Sequence, residues 1–420
     1  MARDSPILNR QPFKGLYLAY FSLSFLVKIP AWTIWYIPRS NRSRRSWSIK
    51  RSLIVRTAQE MFSCKVDLTA ENKPPSEEPV PDSKLKDAKF TWVEGISDDL
   101  FVGEVRRIAE LTGVKPARVA GFWLLKANTP WKGLKAQPGE KTVLHLHGGA
   151  FHVRPAPAAS PPLRLHTRAQ ISSANPSDIT ANFTRGLLQH STELQRTFAV
   201  EYRLCNAAPF TPANPFPAAL LDTLAAYRFL VQDAGFEPRN VIVVGDSAGG
   251  SLVLALARHL IENPIPALPP PGALLTASAW LDLCMSRRGP GTSETLNGPI
   301  DIFGVSDEDP FAEYGVRGYQ GPLDFEEIRT NRYISPMSLY VKPGPDGSVF
   351  KGFPQTYIVA GGAERLLDDS VAMVEKMTEE GVKVVSDISP DAIHDFVVFT
   401  WHEPEHTDTL RRIAKWIDEM

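Results

Sequence analysis

The chain has few cysteines and almost no net charge, and each shortage argues against a class of protein. The three cysteines, Cys64, Cys205 and Cys284, are too few and too scattered for a disulfide framework or a cysteine metal site. The 46 Lys and Arg residues nearly cancel the 47 Asp and Glu residues, for a net charge of −1. This balance argues against a nucleic-acid binder or a disordered chain. Hydrophobic residues, at 43%, suffice for a sizeable core.

One long apolar run lies near the N-terminus, at residues 15–37. Its 23 residues suffice for a membrane-spanning helix, which needs about 20, and its seven aromatic residues suit a membrane interface. A single span or a shallow hairpin anchor is the favoured interpretation. A cleavable signal peptide stays open, although no small-residue cleavage site follows. A buried core helix also stays open, because Lys28 and Pro30 interrupt the run.

A basic stretch follows the apolar run and bears on orientation. It contains Arg39, Arg42, Arg44, Arg45, Lys50 and Arg51. These residues outnumber the basic residues before the run, which favours a cytosolic catalytic part by the positive-inside rule. The same cluster could instead bind anionic headgroups. A glycosylation sequon at Asn182-Phe183-Thr184 would matter only in a lumenal protein, and we interpret it as chance.

Composition divides the chain into three parts. Residues 1–65 are predicted to be a membrane anchor with its basic flank, 66–87 a polar linker, and 88–420 a folded domain. Within that domain, residues 285–335 are rich in Gly, Pro, Ser and acidic residues and are too long for an ordinary connection. They are predicted to form a lid or insertion near the site, with a disordered surface loop as the alternative.

From residue 88 onward, apolar runs of strand length alternate with segments of helical period. The predicted strands are 141–147, 198–204, 240–247, 272–280 and 356–362, and the predicted helices are 217–234, 248–262, 366–381 and 405–419. This alternation indicates an α/β fold with a mainly parallel sheet covered by helices on both faces. Such sheets bind ligands at the carboxyl ends of their strands.

Two glycine-containing motifs follow predicted strands. Gly245-Asp246-Ser247-Ala248-Gly249 lies between a strand and a helix, the context in which a nucleophile elbow exposes its serine. His147-Gly148-Gly149-Ala150-Phe151 has glycines that let backbone N–H groups approach a substrate oxygen. An acyl-transfer site needs such donors for its oxyanion, and losing one costs about 3–4 kcal/mol. The motifs therefore predict a nucleophile at Ser247 and an oxyanion hole, with plain turns as the alternatives.

A serine nucleophile needs a base, and the base needs a carboxylate that orients it. His394 lies on a loop after the strand-like run KVVSDI and is the candidate base. His402 and His406, at the start of the final helix, are interpreted as solvated surface histidines.

The acid is expected after the strand 356–362. Glu364 is favoured because it lies nearest the end of that strand. Asp368 is the alternative, although it is typical of a structural acid in the first turn of a helix.

These motifs together resemble the hormone-sensitive-lipase family of α/β-hydrolases, over roughly residues 90–420. The landmarks, in the family's order, are His147-Gly148-Gly149, Tyr202-Arg203-Leu204, Phe216-Pro217-Ala218-Ala219-Leu220, Gly245-Asp246-Ser247-Ala248-Gly249-Gly250, Ala279-Trp280-Leu281-Asp282-Leu283 and Ser335-Pro336. The resemblance implies an α/β-hydrolase fold with Ser247 as nucleophile, His394 as base and Glu364 as acid, and chemistry that needs no metal or organic cofactor.

The same resemblance assigns the residues around the serine. The N–H groups of Gly148, Gly149 and Ala248 would form the oxyanion hole, and Asp246 and His147 would support the loops there.

Three departures from the family pattern bear on acyl-side specificity. Ala150 replaces a third glycine, 50 residues separate Phe151 from Tyr202 and include a Pro-rich stretch at 154–162, and an unusual tract occupies 205–214.

The layout is similar to membrane-anchored family members that remove short acyl groups from lipophilic alcohols, such as steryl acetyl hydrolases. It implies a serine carboxylesterase at a membrane, expected to be the endoplasmic reticulum, with membrane lipid and a hydrophobic ester as partners and a homodimer as a common assembly. An amidase or formamidase with the same triad, or a non-catalytic small-molecule receptor, is the alternative. Under this reading, deletion of residues 1–65 should leave hydrolysis of soluble esters largely intact.

Overall fold

A computed structural model describes residues 10–64, 78–152, 173–304 and 310–420. The strands in these ranges are β1 (Ala88–Val93), β2 (Val119–Leu125), β3 (Thr142–Leu146), β4 (Arg196–Glu201), β5 (Val241–Asp246), β6 (Ala273–Ala277), β7 (Gln355–Gly361) and β8 (Val384–Ser389). The α-helices are α1 (Phe13–Trp35), α2 (Ile49–Phe62), α3 (Gly103–Thr112), α4 (Ala181–His190), α5 (Ala218–Arg228), α6 (Ala248–Glu262), α7 (Ser293–Asn297), α8 (Pro310–Gln320), α9 (Phe325–Thr330), α10 (Leu367–Glu379) and α11 (Glu405–Asp418). Most of the predicted linker 66–87 and all of the Pro-rich stretch 154–162 lie outside the described residues.

The eight strands form one sheet in the order β1-β2-β4-β3-β5-β6-β7-β8. From β4 to β8 all neighbours are parallel, whereas β2 pairs antiparallel with both β1 and β4. The mainly parallel sheet confirms the predicted α/β fold class. The antiparallel pair β1 and β2 was not predicted, because these strands precede the regular strand–helix alternation on which the prediction rests.

Alternate side chains of the buried strands pack into two apolar layers, one on each face of the sheet. Val241 and Val243 of β5 pack with residues of α3, α5, α6 and α10 on one face. Ile242 and Val244 pack with residues of α2, α4 and α11 on the other face. Successive strand residues point to opposite faces, so a continuous apolar run is what a strand covered on both sides requires. This arrangement leaves the carboxyl ends of β3 and β5–β8 at one edge, where their loops meet.

The segment 285–335, predicted as a lid or insertion, contains α7, α8 and α9 among its described residues, and 305–309 lie outside the description. Helix α5, within the predicted helix 217–234, continues as a π-helical turn at Phe229–Asp233.

Among the described residues, helix α1 alone is long and apolar enough to cross a membrane. Only 6% of its most apolar stretch is buried inside the protein. Pro30 lies within the helix, which nevertheless continues to Trp35.

Candidate active site

Ser247 directly follows β5 and precedes α6, as the elbow motif predicted. Its φ of 49° and ψ of −117° are strained for a residue with a side chain. The turn that imposes this strain is tight, because a Cβ at Gly245 would lie 2.4 Å from the Gly249 carbonyl oxygen. A Cβ at Gly249 would lie 1.9 Å from the carbonyl oxygen of Leu146, at the end of β3. The two glycines therefore allow the serine to project at the edge of the sheet where the strands end.

His394 lies on the loop after β8, and its side chain reaches the serine. Its Nε2 is 3.0 Å from Ser247 Oγ, within hydrogen-bonding distance. Its backbone N–H donates to Asp301 Oδ1 at 3.0 Å. The same Asp301 carboxylate accepts from the Arg365 N–H at 2.9 Å and so ties the loops after β7 and β8 together. Sequence reasoning missed Asp301, which lies in the segment that was predicted as a lid.

Glu364 follows the end of β7 and is fully buried. Its Oε2 accepts from Ser278 Oγ at 2.6 Å and from the Gly361 N–H at 2.8 Å. Its Oε1 and His394 Nδ1 are both buried, and neither has a hydrogen-bond partner among the described residues. Burial raises the pKa of Glu364 to about 8, against the lowering effect of His394. Glu364 and His394 therefore interact electrostatically. Glu364 Oε1 can accept a hydrogen bond, and His394 Nδ1 can donate one.

Asp368, the alternative acid, has a different partner. It lies in the first turn of α10, where its Oδ2 accepts from the Ser293 N–H at 2.8 Å.

The charge of His394 is set by neighbouring carboxylates. Burial alone would lower its pKa, but Asp395, Glu364 and Asp301 together raise it to about 9. Asp395 is the largest contributor, with Oδ2 3.2 Å from His394 Nε2. Neither Asp395 nor Ser278 was singled out from the sequence. Two signals could have indicated them: Asp395 is adjacent to the candidate base, and Ser278 directly follows β6.

The loop after β3 is fastened to the elbow by Asp246. Its Oδ2 accepts from the Gly148 N–H at 2.9 Å, and its Oδ1 accepts from His145 Nε2 at 3.0 Å. The Gly148 N–H, predicted as an oxyanion donor, is therefore used for a contact within the protein. Ala248 is the first residue of α6, so its N–H has no acceptor within the helix.

His147 is the first residue of this loop, and its ring stacks on that of Tyr202, with ring centroids 4.2 Å apart. The Tyr202 hydroxyl donates to the His147 carbonyl oxygen at 2.5 Å. Burial lowers the pKa of His147 to about 4, so its imidazole is neutral at physiological pH. These contacts give His147 the character of a support rather than of a base.

His402 and His406 are not surface residues, which corrects the interpretation from the sequence. His402 is 0% exposed and His406 is 6% exposed. His402 Nε2 accepts from the Ile393 N–H at 3.4 Å and so supports the turn that precedes His394. The interpretation was wrong because the beginning of α11 packs inward beside this turn, which the acidic residues around the histidines do not reveal.

Ser247 and His394 line a half-open cleft at the edge of the sheet where the strands end. Its apolar lining consists of Ala150, Trp280, Met285, Phe303, Phe311, Ala312 and Leu366. The charged side chains in the lining contact one another: Arg365 bonds Glu294, and Arg287 lies 3.9 Å from Asp369. Because these charges are paired, the apolar side chains provide most of the surface for a substrate. Among the residues described, no cluster of His, Cys, Asp or Glu has the arrangement of a metal site.

A family model for the α/β-hydrolase fold matches residues 182–398, slightly more than half of the chain. The chain belongs to the α/β-hydrolase family. This membership confirms the resemblance that the motifs had indicated, and the matched segment contains Ser247, Glu364 and His394.

Similar proteins include esterases and an acetyl-hydrolase. The esterase LipU of Mycobacterium tuberculosis is 29% identical over 68% of this chain and 80% of its own length. An acetyl-hydrolase of Streptomyces hygroscopicus is 26% identical over 66% of this chain and 74% of its own length. The solved structure of a hormone-sensitive lipase from a metagenome library is 27% identical, with a TM-score of 0.52 over 72% of this chain and 82% of that one. Fold, family and relatives agree that the chain is a carboxylic ester hydrolase.

Proposed function

We propose that the enzyme hydrolyses short-chain esters of hydrophobic alcohols through Ser247, His394 and Glu364. The observation that carries the proposal is the 3.0 Å separation between Ser247 Oγ and His394 Nε2 at the ends of β5 and β8. In that position the imidazole accepts the hydroxyl proton while Oγ forms a bond to the acyl carbon. The ester C–O bond then breaks, and the alcohol leaves with the proton from His394.

A water molecule completes the cycle by the same steps. His394 takes a proton from the water, whose oxygen bonds to the acyl carbon. The acyl–Ser247 bond breaks, the proton returns to Oγ, and a carboxylic acid is released. Glu364 would hold the imidazolium by a hydrogen bond from His394 Nδ1 to its Oε1, two buried atoms that have no hydrogen-bond partner among the described residues. Such hydrogen bonds are often long before substrate binds and tighten in the complex.

The N–H groups of Gly149 and Ala248 are the proposed oxyanion donors. Gly149 has a φ of 107°, which a residue with a side chain rarely adopts, and it follows the anchored Gly148. The Asp246 carboxylate acts indirectly, because it fixes the position of the loop that contains Gly149.

The shape of the cleft favours a small acyl group and an apolar alcohol. Ala150 places a methyl group beside Ser247 in the cleft lining, where a glycine would leave more room. Phe303 and Phe311 provide aromatic surface next to the base, with the Phe303 ring 5.0 Å from the His394 ring. The acetyl-hydrolase among the relatives agrees with an acetyl or similarly short acyl group. Helix α1 attaches the enzyme to a membrane into which such an ester partitions; the comparisons do not point to the endoplasmic reticulum.

The test is hydrolysis of p-nitrophenyl acetate, butyrate and decanoate by the full chain and by Ser247→Ala. We expect the full chain to prefer acetate or butyrate, and Ser247→Ala to lose at least about 10³-fold in kcat. Ser348→Ala, a substitution at a half-buried serine that does not line the cleft, is the matched control and should retain full activity. Equal rates for Ser247→Ala and the full chain would overturn the assignment, and faster cleavage of an acetanilide than of the ester would favour an amidase.

The charge on His394 predicts an alkaline pH profile. The histidine must be neutral to accept a proton, and neighbouring carboxylates raise its pKa to about 9. We therefore expect kcat/KM to rise with pH well above 6.5. Asp395→Asn removes the largest charge contribution and should move this rise to lower pH. A profile that is the same in Asp395→Asn and the full chain would show that another group limits the rate.

A further inference from the structure

Helix α1 is apolar nearly all round, but its two faces differ in exposure. Leu16, Tyr20, Leu23, Val27 and Ile34 are each more than 60% exposed and recur at helical spacing. The opposite face is covered in part: Phe21 is buried, and Lys28 and Trp32 are half-buried. A helix that crosses a bilayer alone would meet lipid on every side, whereas this helix has one largely exposed apolar face and one partly covered face.

The covered face is tied to α2 by polar contacts. Lys28 Nζ is 2.8 Å from Glu60 Oε2, and the Arg56 guanidinium lies 5.5 Å from the centre of the Trp32 ring. Glu60 also pairs with Arg56. These contacts join the second half of α1 to the last turns of α2.

The position of Lys28 along α1 argues against a span in this arrangement. At 1.5 Å per residue, the helix Phe13–Trp35 is about 34 Å long, with its midpoint near residue 24. Lys28 is therefore about 6 Å from the midpoint. If α1 crossed a hydrocarbon core of about 30 Å, Lys28, Glu60 and Arg56 would all lie deep inside it. Charged side chains are costly at that depth, and α2 would have to accompany them.

The point where α1 meets α2 is also beside the catalytic cleft. Phe62 is the last residue of α2, two residues after Glu60. Its ring centre is 5.0 Å from that of Phe303 and 5.9 Å from that of Phe311, two of the cleft-lining residues. One turn of α2 thus separates the contact with α1 from the aromatic rim of the cleft.

We propose that α1 lies in the plane of the membrane, inserted into one leaflet by its exposed face, and that it holds the aromatic rim of the cleft against the lipid surface. In that position the exposed apolar side chains would be buried at the boundary between headgroups and acyl chains, and the charges of Lys28, Glu60 and Arg56 would stay outside the hydrocarbon core. Arg39, Arg45 and Lys50 are exposed just after α1 and complement anionic headgroups, whereas Arg42, Arg44 and Arg51 bond to the protein itself. The inference rests on the proposed membrane attachment and does not depend on the triad.

The test asks whether the two ends of the molecule lie on the same side of a bilayer. Arg10→Cys and Lys415→Cys are introduced together in the full chain, with Cys64→Ser and Cys284→Ser to remove the half-buried native thiols. The protein is reconstituted into sealed phosphatidylcholine–phosphatidylserine vesicles and treated with an impermeant polyethylene-glycol maleimide. We expect molecules with two labels or with none, because both sites share a side. Molecules with one label would show that α1 crosses the bilayer and would overturn the proposal.

A second measurement tests the exposed face. Leu23→Glu/Val27→Glu should reduce flotation with the same vesicles by roughly tenfold or more, since both side chains would lie in lipid. Leu111→Glu, on an exposed position of α3, is the matched control and should float like the full chain. Equal flotation of all three proteins would overturn the proposal. Hydrolysis of p-nitrophenyl acetate is measured on the same samples. If the full chain did not hydrolyse this ester, the proposed function would be wrong, whereas labelling and flotation would still test the position of α1.

Discussion

Helices α1 and α2 are neighbours in the chain, yet they relate to the rest of the molecule in opposite ways. Helix α1 is strongly apolar and has one buried residue, Phe21. Helix α2 has polar and charged residues throughout, yet Arg51, Ser52, Val55 and Gln59 are buried. The more hydrophobic helix is thus the more exposed one.

The contacts of α2 explain this difference. Arg51 forms a buried ion pair with Glu405, at 2.6 Å, and Gln59 Nε2 donates to the carbonyl oxygens of Pro299 and Asp301 at 3.1 and 2.8 Å. Asp301 is the residue whose carboxylate holds the His394 N–H. Helix α2 therefore helps to position the loop that carries His394. We infer that α2 belongs to the hydrolase unit and that α1 serves attachment.

The largest expected effect comes from comparing two truncations. A chain of residues 36–420 should hydrolyse p-nitrophenyl acetate within about threefold of the full chain. A chain of residues 66–420 should lose most activity and several kcal/mol of stability, because removing a buried tryptophan such as Trp47 alone costs about 3–5 kcal/mol. This is the opposite of what composition alone suggested for deletion of residues 1–65. Full activity of a folded 66–420 chain would show that α2 is dispensable.

Gln59→Met isolates the contact between α2 and the active-site loop. Methionine keeps the length of the side chain but donates no hydrogen bond, so the carbonyl oxygens of Pro299 and Asp301 lose a partner. We expect unfolding to become easier by about 1–3 kcal/mol and kcat to fall roughly tenfold with little change in KM. Lys50→Met, at an exposed position of the same helix, is the control. If Gln59→Met lost stability but kept its kcat and pH profile, Gln59 would have only a structural role.

The candidate site residues that could be predicted from the sequence are those fixed by local rules. The strand–turn–helix pattern around Ser247 is contained within a few residues, and Glu364 and His394 follow the ends of neighbouring strands. Because parallel strands end at one edge of a sheet, their order along the chain predicted that these side chains lie near that edge, and His394 does reach Ser247 at 3.0 Å.

The contacts that the sequence did not reveal join distant residues. Gln59 meets Asp301 across 242 positions, and Gly148 meets Asp246 across 98. A glutamine on a polar helix has no local pattern that marks it as buried. Similarly, the glycine motif predicted N–H donors, but which N–H the Asp246 carboxylate would accept depends on how two loops pack. Hydrophobic periodicity predicts elements and their faces, and it contains no information about such pairings.

The smallest expected effect is that of Lys28→Gln, which removes the ion pair between the two helices. Lys28 and Glu60 are 35% and 18% exposed, and pairs of this kind contribute about 0–1 kcal/mol. We expect thermal unfolding to shift by only a few degrees and p-nitrophenyl acetate hydrolysis to be unchanged. Hydrolysis of an ester dissolved in vesicles should fall about twofold to fivefold, since α1 then holds the cleft less firmly against lipid. If Lys28→Gln instead reduced hydrolysis of the soluble ester as much as Gln59→Met, α1 would be part of the catalytic unit and the contrast between the helices would be wrong.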